Sequence, residues 1–300
     1  MLRSLSEWDF GVAMTARAGF VNAVMLVLII VLSSSAGWAQ KPKKGSSLKN
    51  VELCNSSDRV SPEARIDGCT AFIEAGEGAV NGFVIAYNNR GNAYSAKADY
   101  ERAIKDFLEA ARLDPNYAKA FNNLGVAYLR TGANDLAIGA LEEALKLNPN
   151  YGAAYANRAA AYLKTNAFDR AARDYDEAIR LDPKLEAARS GRCWTRAVLG
   201  ALQAALEDCD IVLRSETNNA AAYDSRALIN LKMGQFSAAI DDYNSALRLV
   251  PKLASALYGR GLARFKLGDT DGGHSDISAA KRIDAAIDEA FVRYGVPRRD

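Results

Sequence analysis

Few side chains in this 300-residue sequence are of the kind that carry out chemistry, and their spacing narrows what they can do. Cys54 and Cys69 lie 15 residues apart; Cys193 and Cys209 lie 16 apart. There is one histidine, His274, and no Cys-x-x-Cys, so no metal site is expected. No glycine-rich phosphate loop and no Ser/His/Asp arrangement appears, which argues against an enzyme and against a bound cofactor. A second pattern is ionic. Arg90, Arg158, Arg192, Arg226 and Arg260 are each followed sixteen residues later by an aspartate: Asp106, Asp174, Asp208, Asp242 and Asp276. Where the series skips a member, both partners are lost together, to Leu124 and Ala140. The joint absence points to an ion pair, because a semi-buried arginine without a partner costs several kcal/mol.

Composition fits a globular chain, 49% hydrophobic and 25% charged. Thirty-eight basic residues stand against 36 acidic ones, for a net charge of +2. No basic block exceeds an ordinary solvated face, and the arginine series carries its own acids, so nucleic acid is not an expected partner.

The elements that must position these residues show in a repeat. Pro115, Pro149 and Pro183 are 34 residues apart, and Pro251 lies twice that distance further on, with Thr217 in the skipped place. With proline as position 32, six units run 84–117, 118–151, 152–185, 186–219, 220–253 and 254–287. Position 8 is small or a thiol (Gly91, Gly125, Ala159, Cys193, Ala227, Gly261). Position 20 is Ala or Gly, and position 24 is bulky or a thiol (Phe107, Leu141, Tyr175, Cys209, Tyr243, Ile277). These spacings predict two helices per unit, packed closely where small residues face each other. Gly or Asn ends the first helix at position 15, with Ala98 the exception, and proline stands after the second. A single hairpin cannot bury its apolar face, so neighbours must stack.

The pattern resembles the tetratricopeptide repeat: aromatic at 4 (Tyr87, Phe121, Tyr155, Tyr223), small at 8, Tyr at 11 (Tyr94, Tyr128, Tyr162), Ala at 20, aromatic at 24, Ala at 27, Pro at 32. The resemblance implies an all-α fold, a right-handed superhelix of antiparallel helix hairpins (an α-solenoid), with a concave groove lined by first helices. Departures cluster in repeat 4 (Arg189, Cys193, Arg196, Thr217) and repeat 6 (Arg264, Gly273, Ala285). Residues 51–83 read as a degenerate helical cap, with Ser61-Pro62-Glu63 as a helix start. Residues 288–300 read as a capping helix and tail, with Ala290, Phe291 and Tyr294 packed inward.

In this family positions 2, 5, 9, 12 and 13 of the first helix face the groove, and position 6 joins them. Here that selects Asn88, Asn89, Asn92, Lys119, Asn122, Asn123, Arg130, Asn157, Lys164 and Trp194 as candidate ligand-binding residues. Asparagines suit a peptide backbone, since they donate and accept, and the three cations favour an acidic ligand. A carboxylate clamp of the kind some members use is not expected: Asn88, Asn92, Asn123, Ala153 and Asn157 keep its asparagines and lack its three cations. Trp194 stands at position 9, where it either faces the groove as an anchor or packs on the neighbouring helix.

Residues 1–39 read as a secretory signal peptide. A short apolar run, Phe20–Leu32 broken by Asn22, follows Arg17, and Gly37-Trp38-Ala39 offers a small-x-small cleavage site. The run is short for a bilayer span, so no stable membrane span is expected after cleavage; a retained anchor is the alternative. Residues 40–50 read as a flexible linker. Export places the cysteines where disulfides persist. Cys193 and Cys209 occupy positions 8 and 24 of one hairpin, and pairings Cys54–Cys69 and Cys193–Cys209 are expected, each closing a loop worth roughly 3 kcal/mol; four buried thiols are the alternative. Asn89-Arg90-Gly91 and Asn157-Arg158-Ala159 look like the first helices of exported bacterial arrays. The expected function is therefore a periplasmic or secreted scaffold that binds a protein or peptide, with a holdase-like assembly factor as the alternative.

Overall fold

The computed structural model describes residues 48–56 and 60–297; the expected signal segment 1–39 lies outside them. Among the described residues there are fifteen helices and no strand. They are α1 (Leu48–Asn55) and α2 (Pro62–Ala75), then the pairs α3 (Val80–Ala96) and α4 (Tyr100–Leu113), α5 (Ala118–Arg130) and α6 (Asn134–Leu147), and α7 (Gly152–Lys164) and α8 (Phe168–Leu181). The series continues with α9 (Glu186–Leu199) and α10 (Leu202–Ser215), α11 (Ala220–Lys232) and α12 (Phe236–Leu249), α13 (Ala254–Lys266) and α14 (Thr270–Ile283), and closes with α15 (Ile287–Arg293). None is long and apolar enough to cross a membrane.

Two expected boundaries shift. Leu48, Lys49 and Asn50, expected as the end of a flexible linker, are the first turn of α1. The first helix of repeat 1 starts at Val80, four residues before the expected 84, because the chain leaves its glycine-rich turn at Gly78 and is already extended at Ala79. The start of α2 matches its sequence signature: the Ala64 N–H donates to Ser61 Oγ at 3.2 Å, with Pro62 in the first turn, where its missing N–H costs nothing.

Turns obey the expected punctuation at every repeat. Gly132, Gly200, Gly234 and Gly268 take φ of 79°, 84°, 75° and 85° at position 15, and Asn166 takes 57°. Ala98 also takes φ 57°. The repeat imposes the left-handed turn even on a residue whose Cβ opposes it.

The tight approach at positions 8 and 24 explains the small–large pairing. A Cβ at Gly91 would lie 2.6 Å from the Phe107 ring, and one at Gly125 would lie 2.5 Å from Leu141 Cγ. Phe107, Leu141 and Tyr243 are essentially fully buried, each contributing about 1.5–3 kcal/mol by burial. In repeat 4 the same two positions hold Cys193 and Cys209, whose Sγ atoms stand at bonding distance, 1.86 Å, with Cα atoms 5.4 Å apart. The Sγ atoms of Cys54 and Cys69, joining α1 to α2, are 2.09 Å apart.

The chain divides into two units, residues up to Pro115 and from Asn116 onward. In the first, α1 and α2 pair, and both pack on α3, which pairs with α4. In the second, five hairpins follow one another, each second helix packing on the first helix of the next hairpin. Neighbouring first helices also touch, whereas neighbouring second helices make no comparable contact among the described residues. Within this unit the first helices therefore line the inner side of the curve.

Candidate protein-binding groove

The groove rests on a frame of arginines. In five repeats the guanidinium at position 7 forms a two-pronged pair with the aspartate at position 23. Arg90 meets Asp106 with Nε and Nη2 at 2.8 Å; Arg158 meets Asp174 at 2.7 and 2.9 Å. Arg192–Asp208, Arg226–Asp242 and Arg260–Asp276 repeat the geometry at 2.6–2.9 Å. Leu124 and Ala140 fill the same space in repeat 2, both buried. The hydrogen bonds that Arg226 donates to Asp242, opposed by burial, push its pKa upward. Fork-to-fork geometry of this kind fixes orientation as well as distance.

Two further arms of this frame were missed in the sequence. The guanidinium also reaches the preceding hairpin at position 25: Arg192 Nη1 donates to Asp176 (2.9 Å), Arg226 Nη1 to Asp210 (2.8 Å) and Arg260 Nη1 to Asn244 (2.7 Å). Position 11 supplies the other arm. Where repeats 4 to 6 depart from tyrosine, Arg196, Asn230 and Arg264 each donate to the aspartate of their own hairpin, at 2.9, 3.0 and 2.9 Å. The irregular residues of repeats 4 and 6 thus extend the network. An acid or amide at position 25 of repeats 2 to 5 (Glu142, Asp176, Asp210, Asn244) was the available signal.

The asparagines hold helices together on the inner side. Asn157 Nδ2 donates to Asn122 Oδ1 at 2.9 Å, joining α7 to α5, and Asn122 Nδ2 lies 3.1 Å from Asn123 Oδ1. In the first unit Asn89 Nδ2 donates to the Cys54 carbonyl (3.1 Å) and to Asn55 Oδ1 (3.3 Å), joining α3 to α1. Asn88 and Asn122 are buried; Asn92 is half-buried. Lys119, Arg130 and Lys164 are exposed.

Trp194 is packed on two sides. Its indole stands edge-on to Phe168 of the preceding hairpin (centroids 5.7 Å) and to Tyr294 (5.2 Å, 81° between planes). Tyr294 follows α15, the helix expected as a cap. That helix has the expected buried residues Ala290 and Phe291, together with Ile287. It turns inward across the first helices: Phe291 packs on Tyr258 of α13 (4.7 Å), and Lys232 of α11 binds the Tyr294 carbonyl through Nζ at 2.8 Å. The same ammonium donates to the carbonyls of Ala197 (2.7 Å) and Val198 (3.1 Å) in the last turn of α9, where helical carbonyls run out of i+4 donors; the Ala197 carbonyl also accepts from the Gly200 N–H at 3.3 Å. Burial lowers the Lys232 pKa.

One polar group lies on this floor without full satisfaction. Asp224, at position 5 of α11, accepts from Ser255 Oγ at 2.7 Å, and its other oxygen is buried with no partner. Burial raises its pKa to about 6. No group of three or more His, Cys, Asp or Glu residues placed to hold a metal occurs among the described residues.

With this geometry in view, comparison with known proteins is specific at the level of the repeat. A family model described as tetratricopeptide repeat matches residues 118–151 and 152–185, the boundaries set by the proline period. A second, described as TPR repeat, matches 91–132 and 227–268. No curated protein matches the chain in sequence. Among solved structures, Pseudomonas aeruginosa pilF aligns at 18% identity and TM-score 0.57, covering 72% of this chain and 96% of that one. PilW, described as a widely conserved type IV pilus biogenesis factor, aligns at 18% identity and TM-score 0.58, covering 66% and 92%. A tetratricopeptide repeat protein from Parabacteroides merdae ATCC 43184 aligns at 16% and 0.59, covering 83% and 100%. At these identities the likeness speaks to the fold. The chain is a tetratricopeptide-repeat protein.

Proposed function

We propose that this protein is an exported scaffold whose inner face, lined by first helices, binds a segment of another protein. The observation that carries the reading is that the inner side of the second unit already accommodates a polypeptide segment, α15 and the residues up to Val296, through aromatic packing and a lysine that donates to its backbone carbonyl. On repeats 2 and 3 the exposed Lys119, Arg130 and Lys164 supply the charge to favour an acidic ligand. Export is supported by the signal-like segment 1–39 and by two cysteine pairs at bonding distance, an arrangement suited to an oxidising compartment. We read those pairs as disulfides, and the compartment as the bacterial periplasm or exterior.

A holdase-like assembly factor is the second reading, favoured by the apolar floor of repeats 4 to 6, where Leu228, Tyr258 and Leu262 are buried in one cluster with Phe291 and Val296. Many weak clients would support it; one tight partner supports the scaffold.

Photoreactive residues placed at Lys119 and Lys164 test the assignment in cell-envelope extracts. Adducts at these positions, and none from Arg173 and Glu207 on the second helices, are the expected result. Equal capture from both faces contradicts it. N-terminal sequencing of the exported protein should start at Gln40.

A further inference from the structure

The inner face of repeats 4 to 6 is filled by the chain's own residues 287–296, and the way they fill it describes a ligand. After α15 the chain ends its helix in a left-handed turn at Gly295 (φ 78°): the Gly295 N–H donates to the Val292 carbonyl and the Val296 N–H to the Phe291 carbonyl, both at 3.0 Å. This is the reciprocal pair of bonds that closes a helix and brings the residue after the glycine back against it. Phe291, Tyr294 and Val296 thereby form one apolar face, seated against Tyr258, Trp194 and the floor between α11 and α13. A single side chain, Lys232, tethers the backbone.

Two features mark the segment as a removable occupant. First, α15 has seven residues, joined to α14 by three, and a helix that short does not persist without the surface it packs on. Second, the fit is incomplete. A cavity of about 570 Å³ remains beside Val296 and Pro297, lined by Leu231, Phe236, Leu262 and Phe265 with Lys232 and Lys266 at its edge. The unpartnered Asp224 oxygen is a second unmet demand on the same helix α11. A larger side chain in the open cleft and a donor toward the Asp224 oxygen would meet both.

We propose that repeats 4 to 6 form a recognition site for a short helical turn of an outside protein that carries aromatic residues three apart followed by a large aliphatic residue, and that residues 287–296 occupy this site until such a segment displaces them. The displacing segment has the chemistry of Phe291, Tyr294 and Val296, with a larger side chain in the third place to fill the cavity. This rests on the groove-binding reading above and assigns its specificity.

The test uses the full chain and a fluorescent peptide copying residues 284–297, with leucine in place of Val296. The double variant Phe291→Ala, Tyr294→Ala frees the site; Gly295→Val, which opposes the left-handed turn and would place a Cβ 3.2 Å from Lys232 Nζ, is a second route to the same state. Either freed variant should bind the peptide at least tenfold more tightly than the unaltered chain, and adding Trp194→Ala should abolish that gain. Equal binding by freed and unaltered chains, or indifference to Trp194→Ala, overturns the proposal. If both freed variants unfold, hydrogen exchange of the unaltered chain decides: saturating peptide must speed exchange of residues 287–296, and unchanged protection overturns the proposal. A dimer of the unaltered chain built by exchange of these segments overturns the choice of an outside partner. Failure here with continued crosslinking at Lys119 and Lys164 removes this site and leaves the scaffold reading standing.

Discussion

Trp194 and Tyr294 meet edge to face with ring centroids 5.2 Å apart, joining the first helix of repeat 4 to the end of the chain. An edge-to-face pair contributes about 0.5–1.5 kcal/mol beyond the area it buries. With the loss of ring burial, Tyr294→Ala should lower the local opening free energy of residues 287–296 by about 2 kcal/mol, a roughly thirtyfold rise in amide exchange. Exchange in α5 to α8 should not change. A uniform rise across the unit would mean that the C-terminal segment is an integral part of the core.

The arginine frame makes a prediction about coupling. Arg158 and Asp174 are both largely enclosed, with side-chain exposures of 18% and 9%, so removing one partner strands the other. Each single alanine substitution should cost about 3 kcal/mol or more. A double-mutant cycle by urea unfolding should give a coupling of about 2 kcal/mol. Coupling below about 0.5 kcal/mol would show that the two side chains are held independently.

Ala98 offers a stabilising change. Its left-handed turn carries a Cβ penalty of about 1–2 kcal/mol, part of which glycine returns as chain entropy in the unfolded state. Ala98→Gly should therefore raise stability by about 0.5–1 kcal/mol, read as a higher midpoint of thermal unfolding. An unchanged or lower midpoint would contradict the strain.

Asp224 sets a pH dependence. Its folded pKa, about 6, lies above the ordinary 3.8, so the folded state holds the proton more tightly than the unfolded one. Its contribution to stability is fully present below the unfolded value and is lost as pH rises from about 4 through 6. At one pKa unit per 1.36 kcal/mol, the ionised carboxylate costs about 2–3 kcal/mol at pH 7. Asp224→Asn cannot ionise, so the variant should gain on the unaltered protein across that window and remain ahead above it. A stability difference independent of pH would remove the buried carboxylate as the cause.

Much of this architecture was legible in the sequence because a repeat states each local rule several times. The proline period places the hairpins, position 15 marks the turns, and the sixteen-residue spacing of Arg158 and Asp174 points across one hairpin. What escaped is contact between hairpins. Asp176 and Asp210 stand in no pairing that a single hairpin reveals, although each receives the arginine of the next repeat. Asn122 and Asn157 read as ligand contacts, although their amides join α5 to α7. The return of Tyr294 to Trp194 follows no local period. Its one trace is apolar side chains, Leu228, Tyr258 and Leu262, on a helix face that an empty groove would leave to water. An inner face that is oily in repeats 4 to 6 and polar in repeats 2 and 3 called for a covering, but nothing in the pattern named the chain's own end.

Partners are expected to bind on the first helices. The most direct measurement is an amide-exchange footprint of the intact protein with its crosslinked partner. Protection should be confined to α5, α7, α9, α11 and α13, with residues 287–296 exchanging faster. Protection of the second helices, with the C-terminal segment unmoved, would contradict it.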